Sequence, residues 1–397
     1  MHPLHGRDIL ISGAGIAGPA LAYWLRRHGA APTVVERAPA PRPGGHAVDF
    51  RGDVHLGVLA RMGLLDAVER ARTPAAPMYY VDDRGRRLGR LPDDQTAGDL
   101  EIRRGDLAEI LCDATADGTR YLYGDTVAAL RDDGAGVTVT FEHADPRTFD
   151  LVIGADGLHS RVRELTFGPE PALVRHLGMH CAVFTAPDFV GLDGAGLVHA
   201  APGRVAVVHP TATAGQLQAL LYFAAPPLPH TRDDPGALRR AVAEAFAGAG
   251  WEIPRLVGSL EEAGDLYVEP IGQVHLDRWS RGRVALLGDA AWCPSSLSGM
   301  GTGLAVVGAY VLAGELAATG GAHGPAFAAY ERTMRPYAER CQRLGRTAAA
   351  WMVPRGRLSA SLMRLNARLL PYLPGKDMAA KAARRTASAV SLPRYAE

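Results

Sequence analysis

The sequence predicts an α/β protein, α+β overall, in which a nucleotide-binding domain carries an inserted, mainly antiparallel sheet and is followed by C-terminal helices. The first 36 residues form a β-α-β unit: an apolar segment at 8–12, a helical pattern at 16–27 and a second apolar segment at 33–36. Short apolar runs between Pro/Gly turns over 172–272 are typical of antiparallel strands. From about residue 336 the spacing is helical, with breaks at three prolines, Pro354, Pro371 and Pro374.

The composition excludes several classes of protein. The 397 residues are 47% hydrophobic and 21% charged, which is ordinary for a globular protein and excludes a disordered or fibrous one. The 43 Lys and Arg nearly balance the 42 Asp and Glu, and this net charge of +1 argues against nucleic acid as the main partner. The four cysteines form no C-x-x-C pair, so we expect neither a disulfide framework nor a metal site.

Targeting signals and membrane spans are not expected from the sequence. The first residues lack the basic and apolar regions of a signal peptide. The longest apolar stretch, over 303–313, is too short to span a bilayer and predicts a buried helix. We therefore expect a cytoplasmic protein without a membrane span, either a monomer or a homodimer.

The segment 13–18, GAGIAG, has the G-x-G-x-x-G spacing of a dinucleotide-binding turn. It follows a predicted strand, opens a predicted helix and precedes Glu36, which ends the next strand. Gly13 would allow the tight turn, Gly15 would let the backbone approach a pyrophosphate, and Gly18 would let the helix pack on the strand. The helix N-terminus would bind the phosphates, and Glu36 would accept hydrogen bonds from a ribose. A carboxylate at this position argues against NADP at this turn.

Two further motifs point to FAD. Asp156 and Gly157 follow the apolar segment 151–154, and Asp289 follows the apolar segment 283–288. An Asp at a strand end can accept a hydrogen bond from a ribityl hydroxyl. The glycines of 299–303, GMGTG, open a long apolar helical segment. N–H groups at such a helix start can bind a flavin ring and stabilise negative charge on it.

The three motifs, in this order and spacing, resemble those of the group A FAD-dependent aromatic monooxygenases, which have the fold of para-hydroxybenzoate hydroxylase. The resemblance covers residues 7–345 and is weakest over 172–272. The segments GHAVDFRG at 45–52, VERARTPAAPMYYVDDRG at 68–85 and LSGMGTGLAVVGAYVLAGEL at 297–316 look most similar to the tetracycline-inactivating and antibiotic-tailoring monooxygenases. The C-terminal LPRY at 392–395 is also similar to that branch.

The resemblance implies a Rossmann-like FAD domain with an inserted substrate-binding domain. The FAD domain would be discontinuous and comprise residues 1–75, 100–171 and 273–335. The substrate-binding domain would comprise 76–99, which includes a predicted hairpin, and 172–272. Residues 336–397 would form the C-terminal helical segment.

The resemblance also implies the residues that bind the cofactors. Those at the FAD pyrophosphate and adenosine would be Gly13, Gly15, Ile16, Ala17, Gly18, Glu36 and Arg37. Those along the rest of FAD would be Asp49, Arg104, Asp156, Gly157, Asp289, Pro294, Gly299, Met300, Gly301 and Thr302. Asp156 and Gly157 would contact NAD(P)H as well, together with Arg42 and His46. Met300 stands where the family often has Gln or Ser, a change that leaves the backbone donors in place.

The activity that the resemblance implies is that of a single-component monooxygenase using FAD, O₂ and NADPH or NADH. No second strand-GxGxxG-helix unit is found, which fits transient binding of the nicotinamide cofactor. A flavin C4a-hydroperoxide would transfer one oxygen atom to a planar aromatic or polyketide-like small molecule in secondary metabolism or antibiotic modification. Baeyer–Villiger oxygenation on the same scaffold and a redox-silent FAD protein are the alternatives.

The sequence identifies no catalytic acid or base, because neither G-x-S-x-G nor H-E-x-x-H is found. Residues of the predicted second sheet are candidates for substrate contact. His180, His209 and Gln218 could hydrogen-bond to a phenol, and Phe184 and Tyr222 could stack on a planar ring. For each of them the alternative is an ordinary structural role in the sheet.

Overall fold

The computed structural model describes residues 2–41, 45–73, 76–92, 98–228, 234–369 and 378–395. It confirms the predicted fold class. A six-stranded sheet forms the first layer, and all neighbouring strands are parallel except the last pair at one edge. In spatial order its strands are Ser280–Arg281 (β17), Val284–Leu286 (β18), Leu151–Gly154 (β11), Asp8–Ser12 (β1), Ala31–Glu36 (β2) and Arg120–Tyr123 (β7). The central strands are apolar on both faces because helices or strands cover both faces of such a sheet.

A seven-stranded sheet forms the second layer and is antiparallel except for one parallel pair, β4 with β13. In spatial order its strands are Tyr267–Val274 (β16), Val174–Pro187 (β12), Gln216–Ala224 (β15), Arg204–Pro210 (β14), Gly196–Ala201 (β13), Met78–Val81 (β4) and Arg87–Arg90 (β5). The predicted hairpin within 78–91 is therefore the β4–β5 edge of this sheet.

Two small sheets complete the strands. The three-stranded one contains Arg147–Phe149 (β10), Val137–Phe141 (β9) and Val127–Asp132 (β8). The two-stranded one pairs Ala47–Phe50 (β3) with Leu100–Arg103 (β6). This two-stranded sheet, the β3–β6 ribbon, leads directly into Arg104, one of the residues predicted to bind FAD.

The helices pack on both sheets. In chain order they are Ala17–Arg27 (α1), Gly52–Arg61 (α2), Leu65–Arg70 (α3), Arg104–Asp113 (α4), Arg161–Phe167 (α5), Glu170–Leu173 (α6), Pro235–Ala245 (α7), Ile253–Gly258 (α8), Asp289–Trp292 (α9), Gly301–Ala318 (α10), His323–Met352 (α11), Arg357–Leu369 (α12) and Met378–Ala387 (α13). Helices α1 and α10 pack together, and the rings of Trp24 and Tyr310 meet edge to face with centroids 5.0 Å apart.

Helix α10 is apolar around its whole circumference because it is buried on nearly all sides. It is the one helix of the described residues that is long and apolar enough to cross a membrane, yet 72% of it is buried inside the fold. It therefore has the character of a core helix, as the sequence predicts.

Several elements differ from the expectations. Strand β16 is not predicted because Glu269 and Pro270 interrupt its apolar pattern, and Pro270 is tolerated because β16 is an edge strand. The helix break at Pro354 is observed between α11 and α12, whereas Pro336 lies inside α11. Pro371 and Pro374 lie outside the described residues. The predicted domain boundaries stay a prediction, although β4 and β5 share one sheet with the strands of 174–274.

Candidate cofactor site and substrate cleft

The glycine-rich turn between β1 and α1 has no room for side chains. Gly13 has φ of +109°, and a Cβ there would lie 2.5 Å from the carbonyl oxygen of Ala155. A Cβ on Gly18 would lie 1.9 Å from the carbonyl oxygen of Gly13, and one on Gly15 would lie 3.3 Å from Nη2 of Arg104. The turn is therefore closely packed at Gly13 and Gly18, whereas Ala14 and Gly15 remain partly exposed, and Arg104 lies beside Gly15. Helix α1 starts at Ala17 with no acidic residue in its first turn, so its N–H groups are free to attract an anion.

Glu36 at the end of β2 is bound to the same turn. Its two carboxylate oxygens accept hydrogen bonds from the backbone N–H groups of Ala14, at 2.8 Å, and Ala38, at 2.9 Å. Each oxygen keeps a second lone pair, so a ribose hydroxyl could still donate to it. Arg37 is exposed beside it.

Asp289 lies where the N-termini of α1 and α10 meet. The preceding Gly288 has φ of +65°, and a Cβ there would lie 3.0 Å from Cβ of Ala17 and 3.7 Å from Cβ of Ala305. A Cβ on Gly301 would lie 3.7 Å from Oδ1 of Asp289. Burial raises the pKa of Asp289, and the nearby Arg104 acts in the opposite direction. A carboxylate is therefore held between two helix N-termini.

The loop from Cys293 to Met300 leads into α10 through unusual backbone conformations. Ser295 is buried with φ of +80° and ψ of 141°, a region that costs a non-glycine residue on the order of 1–3 kcal/mol. Gly299 is left-handed with φ of +60°. Met300 is fully buried at the start of α10, and Gly301 and Thr302 are half-buried. The carbonyl oxygen of Pro294 accepts from Nε2 of Gln273 at 3.0 Å, which fixes this end of the loop.

The side chains of Asp49, in strand β3, and Arg51, just after it, reach this loop. Nη2 of Arg51 binds Oδ2 of Asp49 at 2.7 Å, and a Cβ on Gly299 would lie 3.4 Å from that same oxygen. Burial, Arg104 and His209 together lower the pKa of His46 to about 4, so His46 is neutral at physiological pH. Arg42 lies outside the described residues.

Asp156 has a structural role that accounts for its carboxylate. It accepts hydrogen bonds from the backbone N–H groups of Arg161, at 2.8 Å, and Val162, at 3.1 Å, and from the hydroxyl groups of Ser12 and Ser160. These bonds attach α5 to the end of β1. Gly157 has φ of +83°, and a Cβ there would meet open space. A contact of Asp156 and Gly157 with FAD or NAD(P)H stays a prediction.

One face of the seven-stranded sheet carries polar candidates toward the cofactor elements. His209 pairs with Gln218, and Cys181 pairs with Tyr222, in adjacent antiparallel registers, so that all four side chains lie on one face. His209, Gln218 and Tyr222 are half-buried. Leu297 of the loop before α10 packs against the apolar cluster of this face, and His209 is close enough to His46 to lower its pKa, so the face lies next to the cofactor elements.

The structure does not bring His180 and Phe184 to that face. They alternate with Cys181 on β12, so the period of two turns them toward α7 and α8. Phe184 is fully buried in the apolar cluster there, and the ring of His180 stacks on Phe223 with centroids 5.5 Å apart. The interpretation of these two residues as substrate contacts is therefore corrected: they are core residues of the sheet.

Glu269 on β16 is a candidate residue that the sequence did not identify. It pairs with Cys181 and so lies on the same face as Tyr222. Ser296, in the loop before α10, is close enough to this carboxyl group to act on its pKa, in the lowering direction. Burial raises the pKa of Glu269 to about 7, and the negative charge of Asp289 acts in the same direction. The sequence signal that could have identified Glu269 is a carboxylate within the largely apolar segment 267–274.

Among the described residues, no group of three or more His, Cys, Asp or Glu side chains could hold a metal ion. All four cysteines are free. The arrangement fits FAD instead. A glycine turn at one helix N-terminus fits a pyrophosphate, Asp289 fits a ribityl hydroxyl, and the glycines before α10 fit a flavin edge.

The fold and this site define an FAD-binding flavoprotein. Residues 7–344 match the family model described as FAD binding domain, so the chain belongs to that family. Several relatives of this chain are flavin-dependent monooxygenases, and this protein is an enzyme of the same class. The resemblance to group A FAD-dependent monooxygenases is confirmed.

Three relatives show how close the similarity is. The chain is 44% identical over 342 residues to an uncharacterised protein of Mycobacterium tuberculosis (strain ATCC 25618 / H37Rv), which covers 85% of this chain and 92% of that one. It is 34% identical over 345 residues to a flavin-dependent monooxygenase of Legionella longbeachae serogroup 1, covering 85% and 87%. The crystal structure of tetracycline destructase Tet(55) superposes with a TM-score of 0.87 at 34% identity and covers 100% of both chains.

Proposed function

We propose that this monooxygenase uses NADPH or NADH and O₂ to insert one oxygen atom into a planar aromatic or polyketide-like small molecule. One observation carries the proposal: the polar sheet face with His209, Gln218 and Tyr222 is next to the elements that fit FAD. Leu297, in the loop before α10, packs against the apolar cluster of this face together with Tyr222. Ser296 in the same loop acts on the pKa of Glu269, which lies on this face. A cleft between two layers is where small-molecule sites usually lie.

Different residues of this chain would bind FAD, stabilise charge on the flavin and exclude water. The turn at Gly13–Gly18 and Asp289 would hold FAD, with Glu36 at the ribose and Arg104 neutralising phosphate charge. The redox chemistry would come from bound FAD, which takes up reducing equivalents and activates dioxygen. The N-terminus of α10 would stabilise negative charge on the flavin. The apolar side chains around Tyr222 would exclude water from the reaction.

The substrate class is supported by the sheet face and by a relative. The face offers a histidine, an amide and a phenol between apolar side chains, which suits a flat molecule with hydroxyl or carbonyl groups. Tet(55) is a tetracycline destructase, and tetracycline is the first compound to try. We also propose that the protein acts in the cytoplasm as a monomer or homodimer.

The test is NAD(P)H oxidation under air by the purified protein with bound FAD, with and without tetracycline and a panel of polycyclic phenols. We expect substrate-stimulated oxidation and a product heavier by one oxygen atom. NMR of the product would separate ring hydroxylation from Baeyer–Villiger insertion. Bound FAD without NAD(P)H oxidation, with any compound, would instead support the redox-silent alternative.

A further inference from the structure

The C-terminal part of the chain carries a strong net positive charge. Between Cys341 and Tyr395 the sequence has eleven Lys and Arg and one acidic residue, whereas the rest has 32 basic and 41 acidic residues. The near-zero net charge of the chain therefore hides a strongly basic end. A surface of this kind attracts an anionic partner through its long-range field.

Helix α12 is fixed to the protein by one face only. A Cβ on Gly89 of β5 would lie 2.1 Å from the carbonyl oxygen of Ala367, so the helix backbone rests directly on the sheet edge. Ala360 and Ala367 are buried, and Met363 packs against the apolar cluster of the sheet. Nη1 of Arg364 is 3.5 Å from Oδ2 of Asp83.

The opposite face of α12 consists of leucines that point away from the protein. They form the leucine stripe, with exposed fractions of 75% for Leu358, 55% for Leu362, 49% for Leu365 and 46% for Leu369. At 100° per residue they lie within an arc of about 60° and extend over about 16 Å. This is a continuous apolar ridge, of a kind that rarely stays exposed to water without a partner.

Two more large apolar side chains, on the helices before and after α12, are also exposed. Trp351 at the end of α11 is 77% exposed, and Met378 at the start of α13 is 72% exposed. Arg357 and Arg368 are exposed on one border of the leucine stripe, about a quarter turn from its centre. Leucines on one side of a helix with arginines at the border are typical of helices that lie in a membrane interface.

We propose that α12 binds the surface of an anionic phospholipid bilayer, with the leucine stripe in the acyl boundary and the bordering arginines at the lipid phosphates. The arginine side chains are long enough to reach the headgroups while their stems cover apolar surface. This peripheral contact needs no membrane-spanning segment. It does not depend on the proposed function, because it uses none of the residues that face FAD.

The charge pattern favours a bilayer over a second copy of the chain. Pairing two leucine stripes would bring like-charged arginine borders together, and the described part of 341–395 contains no Asp or Glu to neutralise them. Nucleic acid would pair with the arginines but would leave the leucine stripe in water. An anionic bilayer satisfies both the charge and the apolar ridge.

The test is flotation of the FAD-loaded protein with vesicles of phosphatidylcholine alone and vesicles that also contain phosphatidylglycerol. We expect binding to the anionic vesicles, and weaker binding as salt is raised. The double variant Leu362→Ser/Leu365→Ser is expected to lower the partition coefficient at least about tenfold, because less apolar surface enters the bilayer. The matched control Asn366→Ser changes an exposed residue of the same helix outside the leucine stripe and should bind as the wild type does.

A second double variant separates the contribution of arginine charge to vesicle binding from that of apolar burial. Arg357→Gln/Arg368→Gln should lose the preference for anionic vesicles, and melting temperatures would show that all variants are folded. No binding to anionic vesicles would overturn the proposal. Equal binding by wild type and the double leucine variant would also overturn it. A dimer in light scattering that becomes a monomer in the leucine variant would assign the stripe to a second copy instead.

Discussion

Gly18 lies directly against Gly13: a Cβ on Gly18 would come within 1.9 Å of the carbonyl oxygen of Gly13 and within 3.3 Å of Cγ2 of Ile11. The start of α1 is thereby held on the turn that ends β1. This close approach sets where the free N–H groups of the helix point, and a pyrophosphate at the turn would meet them.

Gly18→Ala is therefore expected to lower both stability and FAD affinity. An added methyl forces the helix away from the turn, and overpacking of this kind costs on the order of 1–3 kcal/mol. The measurement is the free energy of unfolding with and without added FAD. Gly57→Ala is the control, because a Cβ there has no neighbour within 4 Å and should stabilise α2 by about 0.5–1 kcal/mol. Similar stability of the two variants would contradict the role of Gly18.

Asp289→Asn is expected to weaken FAD binding by about tenfold or more. The variant keeps the shape of the side chain but removes its negative charge, so the hydrogen bond that a ribityl hydroxyl donates to it becomes weaker. Fluorescence titration of the apoprotein with FAD gives the dissociation constant. Asp145→Asn, at an exposed position, is the matched control. Unchanged FAD affinity in the Asp289 variant would remove this residue from the cofactor site.

Glu269→Gln is expected to change the pH dependence of stability. The pKa of Glu269 is about 7 in the folded protein, above its ordinary value of 4.5, so the unfolded chain ionises at lower pH than the folded one. The stability of the wild type should therefore fall as pH rises from about 4.5 to about 7, and this part of the fall is absent in the variant.

Thermal unfolding at several pH values measures this difference. The advantage of Glu269→Gln over the wild type should grow between pH 5 and pH 7 and then level off. Glu261→Gln, which changes an exposed carboxylate, should follow the wild type at every pH. A constant difference between variant and wild type would show that Glu269 does not titrate in this range.

Tyr222 and Phe184 should behave differently because they lie on opposite faces of one sheet. If the proposed function is correct, Tyr222→Phe should lower kcat/KM about five- to tenfold through loss of one hydrogen bond, with little change in melting temperature. Phe184→Ala should instead cost about 3–5 kcal/mol of stability, because this side chain is fully buried. A loss of stability without a kinetic effect at Tyr222 would assign that residue to the core as well.

The strand, turn and helix units that fit FAD were largely predictable because their signals are local. The turn at Gly13–Gly18, Glu36 and Asp289 each belong to a strand followed by a turn or helix, and the geometry of such a unit follows from a few adjacent residues. The substrate face was not predictable to the same degree. His180 and His209 read alike in the sequence, and only the register of the sheet separates them.

The sequence by itself determined the class of fold, the FAD family and the glycine turn, because spacing along the chain dictates these features. Only the tertiary structure decided that Glu269 lies beside Ser296 and Tyr222, that Phe184 is core, and that the leucines of α12 point outward. Each of these depends on which of two faces meets a neighbouring element. A period of 2 or 3.6 specifies that two faces exist, but only packing between distant segments decides which one is covered.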